Sequence, residues 1–141
     1  MTRWMAVHLA VGVAGVVAFV LTGQYMHWVH DHLRGMSEAQ RLYFRSTHIY
    51  LMWSALLNLL AAGGVGLAAQ QAVLRALQHV ASAAIVAGPF LLCVSFFFEP
   101  YNDALVRPVA RWAIYLALAG VLVRVAVQQG SAYFSGRERA T

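Results

Sequence analysis

Four long apolar stretches occupy most of this chain, and they constrain the fold more than any other feature. They run roughly over residues 4–23, 49–69, 80–98 and 109–127. An α-helix rises about 1.5 Å per residue, so about twenty apolar residues match the hydrocarbon thickness of a bilayer. We therefore predict an all-α fold, in which four transmembrane helices form an integral membrane bundle that runs up-down-up-down.

The composition supports a lipid environment. The chain has 141 residues, of which 61% are hydrophobic and 11% charged, whereas soluble domains carry roughly a quarter charged residues. Four spans and their connections use up residues 1–141, so we predict a single transmembrane domain with helices near 4–30, 38–62, 72–98 and 108–128. The first apolar run is longer than the about 7–15 residues of a signal peptide, and it is interpreted as a retained first span.

Local signals place the helix ends. Ser37 followed by Gln40 predicts an N-cap at the start of the second helix. Gly63 and Gly64 begin a short glycine-rich turn, Asn102 and Asp103 belong to a second turn, and Pro108 suits the first turn of the fourth helix.

All basic residues of the chain are arginines, and they lie near the ends of the apolar runs. Arginine at such positions reaches the lipid headgroups, which favours contact with the bilayer and excludes nucleic acid as a partner. The arginines divide evenly between the two sides of the membrane, so their number does not decide the orientation. Because Arg3 directly flanks the first helix, we predict a multi-pass protein of the bacterial inner membrane with both termini in the cytoplasm.

Small residues recur along three of the predicted helices and favour close helix packing in lipid. The stripes are Ala10, Ala14 and Ala18 with Gly12 and Gly15; Ala81, Ala84 and Gly88; and Ala110, Ala113, Ala117 and Gly120. Asn58 lies deep in the second helix, where an unpaired amide is costly, so we predict that it bonds to a neighbouring helix. The same small-residue faces suit a homo-oligomer or a membrane-protein partner.

Six histidines are many for a chain of this kind, and antiparallel threading groups them by depth. His8 and His79 fall at one side of the membrane, while His48 falls at the other side with His27 or His30. Two facing imidazoles at equal depth are what axial ligation of haem b requires. The layout resembles small four-helix b-type cytochromes of the b561 type, although those proteins take a ligand from the fourth helix and this chain has no histidine there.

The histidines also allow two other interpretations. His27, His30 and His48, with Glu99 as a further ligand, form a candidate zinc or copper site. Alternatively, these histidines make ordinary interfacial hydrogen bonds or contact lipid phosphates.

Three segments resemble small four-helix inner-membrane proteins of Gram-negative bacteria. They are Arg45-Ser46-Thr47-His48-Ile49-Tyr50 continuing to Asn58-Leu59, then Thr22-Gly23-Gln24-Tyr25-Met26, and Phe98-Glu99-Pro100. The resemblance implies an inner-membrane protein and no particular activity. On helical spacing Arg45 and His48 face the same way, and Glu99 falls at the same end. We therefore predict a polar focus of Arg45, His48, Asn58 and Glu99, with an Arg45–Glu99 ion pair.

These observations favour a structural or accessory membrane protein that packs against itself or against partner membrane proteins. No nucleophile–base pair or phosphate-binding glycine loop indicates an enzyme; an enzymatic role would be that of a membrane oxidoreductase. The alternatives are a haem-binding electron-transfer protein and a metal-binding membrane protein.

Overall fold

A computed structural model of the protein describes residues 2–63, 72–101 and 106–138, with side chains up to residue 130. The described part contains four α-helices and no strand, which confirms the all-α prediction. They are α1 (Arg3–Trp28), α2 (Glu38–Gly63), α3 (Ala72–Phe98) and α4 (Pro108–Glu138), with short 3₁₀ turns at Asp31–Leu33 and Glu99–Tyr101. The predicted turns at Gly64 and at Asn102–Asp103 lie outside the described residues.

The helix ends follow the sequence signals closely. The Ser37 hydroxyl accepts a hydrogen bond from the Gln40 amide at 3.3 Å, and the Gln40 side-chain oxygen accepts one from the Ser37 amide at 3.1 Å. This reciprocal pair is a capping box, and it confirms the predicted start of α2. Pro108 is the first residue of α4, also as predicted. The first helix ends at Trp28, slightly before the predicted boundary, and α4 runs beyond its predicted end.

Neighbouring helices run antiparallel. On α1, His8 lies against Asn58 of α2, while Thr22, near the other end of α1, lies against His48. In the second hairpin, α4 packs along α3 with Gly120 against Ala81 at one end. The two hairpins, α1–α2 and α3–α4, have the most extensive contacts, and α2 joins them by packing against α3.

Three of the helices, α1, α3 and α4, are long and apolar enough to cross a membrane. The second helix has the same length as α1 but is more polar, because it carries His48, Ser54 and Asn58 within its apolar run. These side chains point into the bundle, since Ser54 and Asn58 are fully buried. The polar side chains of α2 therefore face the neighbouring helices.

The small-residue stripe of α1 differs from the prediction. Gly12 and Gly15 are buried against α2, and a methyl group on Gly12 would lie 2.7 Å from Leu59. Ala10 and Ala14 are exposed instead. A constant spacing of four residues drifts around a helix of 3.6 residues per turn, whereas the buried positions of α1 alternate between steps of four and three.

The predicted stripe of α4 is confirmed. Ala110, Ala113, Ala117 and Gly120 are all buried, and the same alternating spacing continues to Arg124. Gly120 packs so tightly that a methyl group there would lie 2.7 Å from the Ala81 carbonyl oxygen. At the end of the bundle near the Asp31–Leu33 turn, Leu33, Phe44 and Phe96 form a separate apolar cluster.

Candidate functional site

A buried arginine joins all four helices near one end of the bundle. Arg124 of α4 is 9% exposed, and its Nη1 donates to His8 Nε2 of α1 at 3.2 Å and to Ser82 Oγ of α3 at 3.5 Å. Its Nη2 donates to the carbonyl oxygen of Ala61 on α2 at 2.7 Å. We call His8, Asn58, Ser82 and Arg124 the Arg124 cluster. Among the side chains described, no carboxylate lies within ion-pair distance of Arg124.

The bond from Arg124 determines the state of His8. A guanidinium group can only donate, so His8 Nε2 accepts and the ring carries its proton on Nδ1. His8 Nδ1 then donates to Asn58 Oδ1, which lies 2.9 Å away. His8 is thus a neutral imidazole whose two nitrogens are both engaged, and it relays a directed chain of hydrogen bonds from Arg124 to Asn58.

Asn58 completes this series of hydrogen bonds by donating to a backbone carbonyl of α3 that Pro89 leaves without its usual donor. Its Nδ2 donates to the carbonyl oxygens of Ser54, at 3.0 Å, and Ile85, at 3.2 Å. In a regular helix the Ile85 carbonyl would accept from residue 89, but Pro89 has no amide hydrogen. The side chain of Asn58 therefore supplies the donor that Pro89 lacks. This contact confirms that Asn58 bonds to neighbouring helices.

The sequence contains a signal for this contact. A proline inside a helix predicts an unpaired carbonyl four residues earlier, and an interior asparagine on an adjacent helix is a suitable donor. Gly88 brings the two helices close enough, since a methyl group there would lie 2.7 Å from Ser54 Oγ. That hydroxyl is buried and has no hydrogen-bond partner in the described part of the chain.

The predicted haem pair of His8 and His79 is occupied by other contacts. Trp4 lies beside both rings, with centroids 5.9 Å from each, and its Nε1 donates to His79 Nδ1 at 2.6 Å. Axial ligation through His8 would require Arg124 or Asn58 to leave its ring nitrogen.

A second polar cluster lies at the opposite end of the bundle, around Glu99. Its carboxylate is buried and accepts hydrogen bonds from Ser95 Oγ and from the backbone amide of Val109 at 2.6 Å. The Ala110 amide lies 3.3 Å from the same carboxylate. Glu99 thereby caps the N-terminus of α4, where free amides and the helix dipole favour an anion.

Arg107, and not Arg45, is the cation beside Glu99, so the predicted Arg45–Glu99 pair is wrong. Arg107 Nε lies 4.0 Å from Glu99 Oε2. The guanidinium also donates to Ser46 Oγ at 2.6 Å and to Thr47 Oγ1. It covers the ring of Tyr43 at 4.8 Å, which is a cation–π distance. Glu99, Ser95, Thr47 and Arg107 are called the Glu99 cluster.

A sequence signal for Glu99 does exist. The residue before Pro108 is Arg107, which cannot act as an N-cap acceptor. The first amides of α4 therefore need an acceptor from elsewhere, and Glu99 is the nearest buried acid among the residues that the structure describes.

His48 makes a contact that fixes its tautomer. Thr22 Oγ1 donates to the Phe19 carbonyl oxygen at 2.9 Å, so its oxygen accepts from His48 Nδ1, which is also 2.9 Å away. The His48 ring stacks on Phe19 with a centroid distance of 4.0 Å. This contact pins α2 to α1 and directs His48 away from the predicted pairings with His27 or His30.

The remaining outer histidines, His27 and His30, make separate contacts. Because α1 ends at Trp28, His27 and His30 do not share a helix face. His30 packs edge-on against Tyr25 and lies 3.4 Å from the Tyr101 hydroxyl. His27 Nδ1 instead lies 3.1 Å from His32 Nδ1. In the part of the chain that the structure describes, no three histidine, cysteine or acidic side chains converge on one point, so His27, His30, His48 and Glu99 are not brought together.

No protein-family model matches the chain, and neither a curated protein nor a solved structure matches it.

Proposed function

We propose that this protein is a multi-pass integral membrane protein of structural or accessory type, which packs against itself or against partner membrane proteins. The observation that carries the proposal is the division of the bundle into a polar interior and an apolar exterior. The buried polar groups of both clusters bond across helices, while large apolar side chains cover the outside.

The exterior supports residence in lipid. Exposed apolar side chains follow one another along the outer faces of three helices; among them are Leu9, Val13, Val17 and Leu21 of α1, Val80, Phe90 and Val94 of α3, and Leu118, Leu122 and Val125 of α4. A continuous apolar surface of this extent is rare on soluble monomers. In this proposal α2 is the fourth span, whose polar groups are tolerated because neighbouring helices bond them.

The interior supports a structural role. Small residues allow close approach and interhelical hydrogen bonds hold membrane helices together. Arg124 itself donates from α4 to a residue on each of the other three helices. His8 in particular is fully buried and engaged at both nitrogens. These groups support assembly of the bundle more directly than they support catalysis.

We place the protein in the bacterial inner membrane, with both termini in the cytoplasm. Alkaline carbonate extraction should leave it in the membrane pellet, and reporter fusions to residues 1 and 141 should both report the cytoplasm. Recovery in the supernatant, or reporters on opposite sides, would overturn the proposed topology.

The accessory role is tested by assembly state. Light scattering of the purified protein in detergent should give a protein mass above the 15.5 kDa of one chain, or cross-linking in native membranes should join it reproducibly to a membrane protein. A chain that is monomeric in detergent and joined to nothing in membranes would contradict this role.

The haem alternative has a separate test. An electron-transfer cytochrome would show a Soret absorption band that disappears in His8→Ala or His48→Ala. Such a band would replace the accessory role with that of a membrane oxidoreductase.

A further inference from the structure

An open pocket lies beside the turn that follows α1, outside both polar clusters. Its volume is about 260 Å³, and its walls are formed by Gly23, Met26, His27, His32, Leu33 and Arg45. Two histidines and one methionine thus line a single cavity at one end of the bundle. The proposed accessory function makes no use of it.

The two imidazoles have the spacing of ligands to one metal ion. His27 Nδ1 and His32 Nδ1 are 3.1 Å apart, and the ring planes cross at 83°. With metal–nitrogen bonds of about 2.0–2.1 Å, two nitrogens at this separation subtend an angle of about 100° at the metal. Without a metal the same distance is a hydrogen bond in which one ring nitrogen donates to the other. To bind a metal, the donor ring would carry its proton on Nε2 instead, which leaves both Nδ1 atoms free as ligands.

An unusual backbone holds His32 in this position. Asp31, His32 and Leu33 all have positive φ, at 41°, 59° and 64°, and a residue other than glycine pays roughly 1–2 kcal/mol for a left-handed conformation. Leu33 is 3% exposed and packs into the apolar cluster with Phe44 and Phe96. Burial of Leu33 offsets the strain, and the turn folds His32 back over His27.

The strained turn would favour metal binding because it holds His32, the second ligand, in place before the metal binds. Backbone hydrogen bonds from Leu33 to His30, at 2.7 Å, and from Arg34 to Asp31, at 3.1 Å, close the turn. Strained, over-determined backbone of this kind clusters at functional sites. A pre-ordered pair of ligands loses less conformational entropy when the metal binds.

The chemistry of the pocket selects the metal. A thioether is a soft ligand that favours copper(I), whereas zinc is usually held by four harder or anionic ligands. No carboxylate lines the pocket, and Arg45 adds positive charge to its wall, which penalises a divalent cation more than a monovalent one. We propose that His27, His32 and Met26 form a copper(I) site.

This site differs from the candidate zinc or copper site that the sequence suggests. It keeps His27 but replaces His30, His48 and Glu99, all of which have other contacts. The proposal does not depend on the accessory function, since a copper(I) site is compatible with any assembly state.

The test is an anaerobic titration of the full chain in detergent with copper(I), against a colorimetric chelator. The wild type should bind one copper(I) per chain. His27→Ala and His32→Ala should each lower the affinity at least tenfold. His30→Ala is the matched control, because His30 belongs to the same segment but does not line the pocket, and it should bind like the wild type. An equal loss in His30→Ala, or no binding by the wild type, overturns the site.

Two further measurements keep the test decisive. Met26→Leu should weaken copper(I) binding while leaving zinc(II) binding unchanged; equal effects on both metals would overturn the choice of copper. X-ray absorption on the copper-loaded wild type requires no variant, so it remains valid if a histidine substitution prevents folding. It should show two nitrogen neighbours and one sulfur neighbour, and a copper shell without sulfur would overturn the role of Met26.

Discussion

The contact between Asn58 and the carbonyl left free by Pro89 makes a quantitative prediction. Replacing Asn58 with leucine, which has a similar size, removes the donor to Ile85 and the acceptor of the His8 Nδ1 hydrogen. A buried polar group left without a partner costs about 1–3 kcal/mol, but interhelical hydrogen bonds in membranes average about 0.6 and reach about 1.7 kcal/mol. We therefore expect Asn58→Leu to lower the free energy of unfolding by about 2 kcal/mol.

Part of this cost should vanish when Pro89 is replaced. In Pro89→Ala the new backbone amide can bond to the Ile85 carbonyl, so Asn58 is no longer its necessary donor. The cost of Asn58→Leu should then be smaller by about 1 kcal/mol in the Pro89→Ala background than in the wild type, by the same energies. The remaining cost comes from the unpaired His8 hydrogen.

The assay is a double-mutant cycle by reversible unfolding in mixed micelles. Pro108→Ala serves as the control, because Pro108 begins α4 at the far end of the bundle and its cycle with Asn58→Leu should be additive. For independent sites, the coupling free energy of such a cycle is below about 0.3–0.5 kcal/mol. A value in that range for the Asn58–Pro89 cycle would refute the role of Asn58 as the donor that Pro89 lacks.

Three other substitutions test the packing and the helix cap. Gly12→Leu should destabilise the bundle by about 1–3 kcal/mol because the added side chain meets Leu59. Ala14→Leu, on the exposed face of α1, should have the melting temperature of the wild type. Equal melting temperatures for the two variants would mean that the Gly12 contact is wrong. Gly88→Ala should lower the melting temperature through the close approach to α2, and an unchanged value would argue against that contact. Glu99→Gln should weaken the start of α4 by about 1–3 kcal/mol, seen as faster amide hydrogen exchange at its first turn, and a normal exchange rate there would contradict the capping role.

Much of the fold follows from the sequence because its causes are local. The Ser37–Gln40 capping box, the proline at the start of α4 and the lengths of the apolar runs each act within a few residues. They place the helix boundaries and the antiparallel order. The stripe of α4 was also readable, since its buried residues alternate three and four positions apart.

The polar sites were less predictable because their partners lie far apart in the chain. Arg45 and Arg107 are both predicted near the end of the bundle that holds Glu99, so their positions in the sequence make them equally plausible partners for it. Only the rotation of each helix about its axis decides between them, and composition does not specify that rotation. The His27–His32 pair depends on three consecutive residues with positive φ, a backbone conformation that the periodicity of the sequence does not predict.

The polarity of α2 has a consequence for how the protein is made. Its histidine, serine and asparagine are covered only when α1 lies on one side and α3 on the other, so α2 alone would enter lipid at a high cost. In the proposed topology, where α2 is the fourth span, we expect the translocon to release α1 and α2 together as a hairpin. The side-chain amide of Asn58 would then have no partner on α3 until that helix is inserted. Integration of the bundle would therefore finish only after α3 has emerged from the ribosome.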